Sequence, residues 1–144
     1  MKILVCTDGS KVSDIALKEA VNLVESCDNP EVSVIHVYSG NVTFAHSDEV
    51  RTRDELERII ESHKEAGKEV LEKARQFFEE NGIKASTILK EGHPASVIAN
   101  TASEGGYDTI VIGSRGLGGL KRIFLGSVSN AVLQEARTNV LVVK

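Results

Sequence analysis

The chain has 144 residues, 41% of them hydrophobic and 26% charged, with a formal net charge of −4. A single domain over 1–144 with a real core is expected, and the acidic balance argues against nucleic acid as a partner, because phosphate backbones repel it. With four Phe, two Tyr and no Trp the core must be aliphatic, and no apolar run approaches the roughly 18 residues that cross a bilayer, so no membrane is expected.

The first predicted strand is Ile3–Thr7, apolar until it turns polar at Thr7. It is too short for a signal peptide, which makes the cytoplasm the expected compartment. Cys6, inside this run, reads as a buried core thiol, and Cys27 lies near a helix end. Two cysteines make no disulfide framework, and neither has a histidine close in sequence to suggest catalysis. The first helix is expected to begin near Ser10 or Ser13, either of which can cap it. Its apolar positions Ile15, Ala16, Ala20, Leu23 and Val24 recur at threes and fours. Asp28-Asn29-Pro30 breaks it before a second strand, Val32–Tyr38.

Residues 39–47 carry no period and read as a loop. A long helix is expected over roughly 48–80, with Leu56, Ile59, Ile60, His63, Val70, Leu71, Ala74, Phe77 and Phe78 as its apolar stripe against a charged face. At ~1.5 Å per residue it would run ~45–50 Å, more than a domain this size can cover. Its first part is therefore expected to be irregular, kinked or projecting. Asn81-Gly82 supplies the stop. A strand Ala85–Leu89, a helix Pro94–Glu104 ended by Gly105-Gly106, and a strand Thr109–Ile112 follow. A last helix from Gly126-Ser127 to about Ala136 precedes the final strand, Val140–Val143. Short β-branched runs alternating with helical spacing predict an α/β fold, a five-stranded parallel sheet with helices on both faces. Continuously apolar runs such as Ile3–Val5 and Val140–Val143 fit strands buried on both faces.

The most informative stretch runs from Ile110 to Ser127. A strand enters glycines, and a Gly-Ser pair opens a helix. Without a Cβ, glycine lets main-chain N–H groups approach phosphate closely and adopt positive φ. A helix N-terminus adds unpaired donors and partial positive charge, and in an open parallel sheet such a loop lies at the carboxyl ends of the strands. The stretch is neither a P-loop, since G-x-x-x-x-G-K-[ST] is absent, nor G-x-G-x-x-G, since Lys121 stands where the third glycine belongs. The spacing is G-x2-G-x9-G-S, formed by Gly113, Gly116, Gly126 and Ser127.

This spacing after a buried strand resembles the ATP-binding signature of universal stress proteins. The wider run 113–133 is similar to that family almost position for position, as are Ile3–Ser10, Val34–Val37 and Val140–Val143. Residues 40–60 match least, and Arg137-Thr138-Asn139 stands where many relatives have a proline- and cysteine-containing turn. The resemblance implies a Rossmann-like sheet of order 3-2-1-4-5 that binds ATP, often with Mg2+ or Mn2+, and commonly dimerises. By position, Asp8 would face the ribose or the metal side of the nucleotide, and Thr7 and the Val37 backbone would flank the adenine. Gly113, Arg115 and Gly116 would meet ribose and phosphates. Gly126, Ser127, Val128 and Ser129 would donate hydrogen bonds to the phosphates. No residue is expected to be a direct catalytic group, and the metal would be held by the phosphates.

Plainer readings stand beside these. The glycines could serve turns alone, and Asp8 could be an N-cap or Asx-turn residue, which does not exclude ligand contact. His36, mid-strand among Val and Ile, fits a hydrogen-bonded core histidine better than a metal ligand. His93 fits a structural loop, and His46 and His63 have no partner at metal spacing. Lys121 and Arg122 could attract phosphate, but a solvated loop or a dimer contact explains them equally. In the order 3-2-1-4-5 the last strand is an edge. Val140, Leu141, Val142 and Val143 then invite a two-fold homodimer, with coverage by a helix of the same chain as the alternative. The function expected is a regulatory, stress-response ATP-binding module. Its alternatives are a slow ATPase or phosphotransferase, for which no positioned general base is visible, and a dimeric interaction module with a vestigial pocket.

Overall fold

A computed structural model describes residues 1–40, 52–115 and 125–144. Gly116, Lys121, Arg122 and His46 lie outside the described residues, as does the expected start of the long helix near Asp48. The strands are β1 (Lys2–Cys6), β2 (Glu31–Tyr38), β3 (Ala85–Glu91), β4 (Thr109–Gly113) and β5 (Asn139–Val143). The helices are α1 (Lys11–Glu25), α2 (Arg53–Glu80), α3 (Pro94–Glu104) and α4 (Ser127–Glu135). Every strand pairing is parallel, and the order is β3-β2-β1-β4-β5. The expected fold class and order are both observed.

Alternation along the strands builds two aliphatic layers. Ile3, Val5, Val34 and Val111 face α1 and α2, where Leu17, Ala20, Leu71 and Phe78 meet them. Leu4, Cys6, Ile35 and Ile110 face α3 and α4, where Ile98 and Val132 meet them. Chain order reverses beside β1, whose neighbours are β2 on one side and β4 on the other. The connections from that point leave on opposite faces, the arrangement in which open parallel sheets take ligands at the carboxyl ends of their strands.

Caps explain the helix starts. Ser10 caps α1 by accepting from Ser13 N–H, and Thr52 with Glu55 forms a capping box at α2. Pro94 occupies the first turn of α3. The long helix α2 is unbroken over 28 residues, about 42 Å. Its buried residues are Gly67, Leu71, Ala74 and Phe78, all in the second half. The first half is thus projecting rather than kinked, and Leu56, Ile59 and Ile60 are only half-buried. His63, expected in the apolar stripe, is exposed. The strands beneath, eight and seven residues long, span only about 23–27 Å, so sheet runs out before helix does. Where the two do meet, they meet closely. A Cβ on Gly67 would lie 2.7 Å from His36 Cδ2 and 2.8 Å from Leu89 Cδ1.

The last strand departs from expectation. Val143 is buried, Val140 and Val142 are half-buried, and Leu141 is 36% exposed. Continuous apolarity therefore does not mean burial on both faces here, because an edge strand has a neighbour on one side only. Both cysteines are free. Burial pushes the Cys6 thiol far above its ordinary range, so it stays protonated at neutral pH. Iodoacetamide on the folded protein is expected to modify half-buried Cys27 and spare Cys6, with both modified in denaturant. Peptide mass spectrometry showing equal rates on the folded chain would mean that β1 opens readily.

Candidate functional site

The carboxyl edge of β1 carries a tightly bonded turn. Thr7 is buried, its N–H donates to Ile35 O at 3.0 Å, and its Oγ1 lies 3.2 Å from Ser13 Oγ. Asp8 is half-buried, and its Oδ1 accepts the Ser10 N–H at 2.9 Å. This is the Asx turn weighed from sequence. Among the described residues its second carboxylate oxygen has no hydrogen-bond partner. Gly9, at φ 79°, occupies the left-handed region that lets the chain reverse into α1.

The carboxyl edge of β4 lies beside this turn. A Cβ on Gly113 would sit 3.0 Å from Val12 Cγ1 and 3.1 Å from Val12 O, so the first turn of α1 presses on β4. Ser114 is a junction. Its N–H donates to Val143 O at 2.6 Å, and its carbonyl accepts from Gly126 N–H at 2.7 Å and from Ser129 Oγ at 2.9 Å. These bonds draw 114 and 126 together and so close the loop between them at its base. A Cβ on Gly126 would approach Ser114 O to 3.2 Å and Arg115 Cα to 3.3 Å, so a side chain there would crowd that closure. Neither Gly113 nor Gly126 has positive φ. Their missing Cβ serves contacts of the chain with itself, not the conformational freedom expected from sequence.

The first intrahelical bond of α4 is Asn130 N–H to Gly126 O at 3.0 Å, and Gly126 offers no side-chain cap. The N–H groups of Ser127, Val128 and Ser129 therefore have no partner within the helix. Ser127 and Val128 are exposed, whereas Ser129 is buried. The Ser129 hydroxyl lies within bonding distance of Ser114 O and, at 3.0 Å, of Gly126 O, so it ties the start of α4 to Ser114. Arg115 is half-buried, and its Nε is buried with no partner among the described residues. Three uncapped amides at a helix start suit an anion, and so does a buried guanidinium donor.

Strand adjacency brings Thr7 and Asp8 just after β1, Val37 of β2, and Gly113 of β4 with Arg115 just after it to one edge, with Gly126 bonded back to Ser114. Sequence reasoning passed over Ser114, although its place directly after Gly113 was visible. It also took His36 as a core residue, and the structure adds that its Nδ1 lies 2.8 Å from Thr7 O, at the site's floor. A cavity of about 480 Å³ opens between α1 and α2, lined by Thr7, Gly9, Leu17, Lys18, Val70 and Lys73 among others. Of the predicted site residues only Thr7 reaches it, so it is not where they converge.

A family model described as "Universal stress protein family" matches residues 1–144. The chain is 39% identical over 146 residues to universal stress protein YxiE of Bacillus subtilis, covering 99% of this chain and 98% of that protein. The solved structure of MJ0577 of Methanocaldococcus jannaschii superposes with a TM-score of 0.84 at 32% identity, covering 99% of this chain and 94% of the other. A universal stress protein from Archaeoglobus fulgidus, solved in complex with dAMP, superposes with a TM-score of 0.70 at 27% identity, covering 100% and 98%.

Proposed function

The chain belongs to the universal stress protein family, and from that premise we propose that it binds ATP at the carboxyl edge of β1 and β4 as a cytoplasmic, regulatory stress-response module. The observation that carries this reading is the uncapped start of α4, where the amides of Ser127, Val128 and Ser129 lack helical partners. The orphaned Nε of Arg115 supports it. The dAMP held by the Archaeoglobus fulgidus relative is the same class of ligand. Phosphates would take the α4 amides, with Gly113, Arg115 and Gly116 meeting ribose and phosphates, and Gly126 setting the helix start against Ser114. Asp8 would face the ribose or a Mg2+ or Mn2+ ion carried by the phosphates. Thr7 and the Val37 backbone would flank the adenine. Nucleotide binding would change a surface that a partner reads. Titration calorimetry with ATP and Mg2+ tests the reading, and no heat at millimolar nucleotide would end it.

A homodimer through β5 is part of the same proposal. Its support is an edge strand with no strand neighbour on its outer side among the described residues and an exposed Leu141, next to an α1 that leaves Ile15 43% exposed. Replacing Leu141 by lysine places a charge on that edge. Light scattering is expected to report a dimer for the wild type and a monomer for the variant. A wild-type monomer at tens of micromolar would remove the dimer and leave the nucleotide reading standing.

A further inference from the structure

We propose that His36 is a positioning residue for the nucleotide site, holding the Thr7 carbonyl so that the turn carrying Asp8 keeps one conformation. This rests on the nucleotide reading above. The β1–β2 ladder pairs Cys6 with Ile35 as its last register step, and Thr7 N–H still donates to Ile35 O. One step further, a continuing parallel ladder would offer the Thr7 carbonyl a main-chain donor from β2. The chain instead leaves the sheet there to enter the turn, and the His36 imidazole meets that carbonyl at 2.8 Å. A carbonyl only accepts, so Nδ1 must carry the proton.

The ring is held as well as bonded. It lies on the α2 face of β2, in line with Val32 and Val34 of the core. Its Cδ2 and Nε2 would stand 2.7 and 3.2 Å from a Cβ on Gly67, so the absence of a side chain there admits the imidazole under α2. On the other side of the bond, the next peptide leads into Asp8, whose Oδ1 takes the Ser10 N–H, and Ser10 caps α1. His36 thus fixes the first acceptor of a chain of bonds that ends at the Asp8 carboxylate and the α1 cap. Without the donor, the turn samples conformations that do not present Asp8, and apparent affinity falls by the fraction of molecules left competent.

The test uses the full chain in three forms: wild type, His36→Leu, and His36→Asn, whose amide N–H can stand near the place of Nδ1. Calorimetry with ATP and Mg2+ is expected to give about tenfold weaker binding for His36→Leu and near wild-type binding for His36→Asn. Equal affinity in wild type and His36→Leu overturns the proposal. So does His36→Asn falling as far as His36→Leu, because ring packing rather than the donor would then be responsible. Two readouts without nucleotide separate this from a failure of the nucleotide reading. A long-range 1H–15N spectrum of the wild type is expected to show the neutral ring protonated on Nδ1, and an Nε2–H ring overturns the proposal even if the variants fail to fold. Amide exchange at Gly9 and Ser10 is expected to quicken in His36→Leu, and unchanged exchange would also overturn it.

Discussion

Replacing Ser127 by proline is expected to weaken ATP binding by roughly ten- to a hundredfold while leaving thermal stability unchanged or slightly raised. Ser127 is the first residue of α4, the one helical position that proline favours, because its N–H has no helical partner in any case. The residue before it must be extended, and Gly126 already is, at φ −61° and ψ 158°. The fold therefore accepts the ring. What disappears is one of the amide donors on which the anion site is argued to rest. A hydrogen bond to a charged group contributes about 1.5–3 kcal/mol, which converts to the stated range. Ser127→Ala, which keeps the N–H and loses the hydroxyl, is expected to bind within a fewfold of wild type. Calorimetry on both variants separates main-chain from side-chain recognition. Undiminished affinity in the proline variant would mean that this amide meets no phosphate.

Truncating Phe78 to alanine is expected to lower stability by about 3–5 kcal/mol and the melting temperature by about 10–15 °C. The ring is fully buried, packs edge-on to Phe77 with centroids 5.7 Å apart, and joins β1, β2 and α1 into one layer. Leu56, of the same apolar stripe but in the projecting half of α2, is half-buried, and Leu56→Ala is expected to cost about 1 kcal/mol or less. Denaturant melts of the two variants measure how steeply anchoring falls along one helix. Similar losses would mean that the first half of α2 is held as firmly as the second.

The contrast between the Leu56 turn and the Phe77-Phe78 turn of α2 marks where sequence reading stops. Periodicity placed α2, and it ended where Asn81-Gly82 was expected to end it. Periodicity could not say that His63 would be exposed, because apolar spacing describes a helix face and not what lies opposite it. The same holds for β5. Four apolar residues in a row suggested cover on both sides, and only the position of the strand at the sheet edge leaves Leu141 open. At the loop, Gly113 and Gly126 stood out by spacing. Their physical reason, contact with Val12 and with Ser114 and Arg115, involves pairs that the chain brings together only by folding.

Local chemistry by itself determined the elements and the class of fold. The Ser10 cap, Pro94 at the start of α3, Gly105-Gly106 at its end and the β-branched runs each act within a few residues, and such short-range preferences are written in order along the chain. The tertiary structure alone decided which groups meet at the carboxyl edge: Ser114 bonding to Val143, Gly126 and Ser129, and His36 reaching Thr7 across 29 positions. Those contacts depend on sheet order and on how closely layers approach. Both are set by burying two aliphatic faces at once, a constraint that no single segment carries.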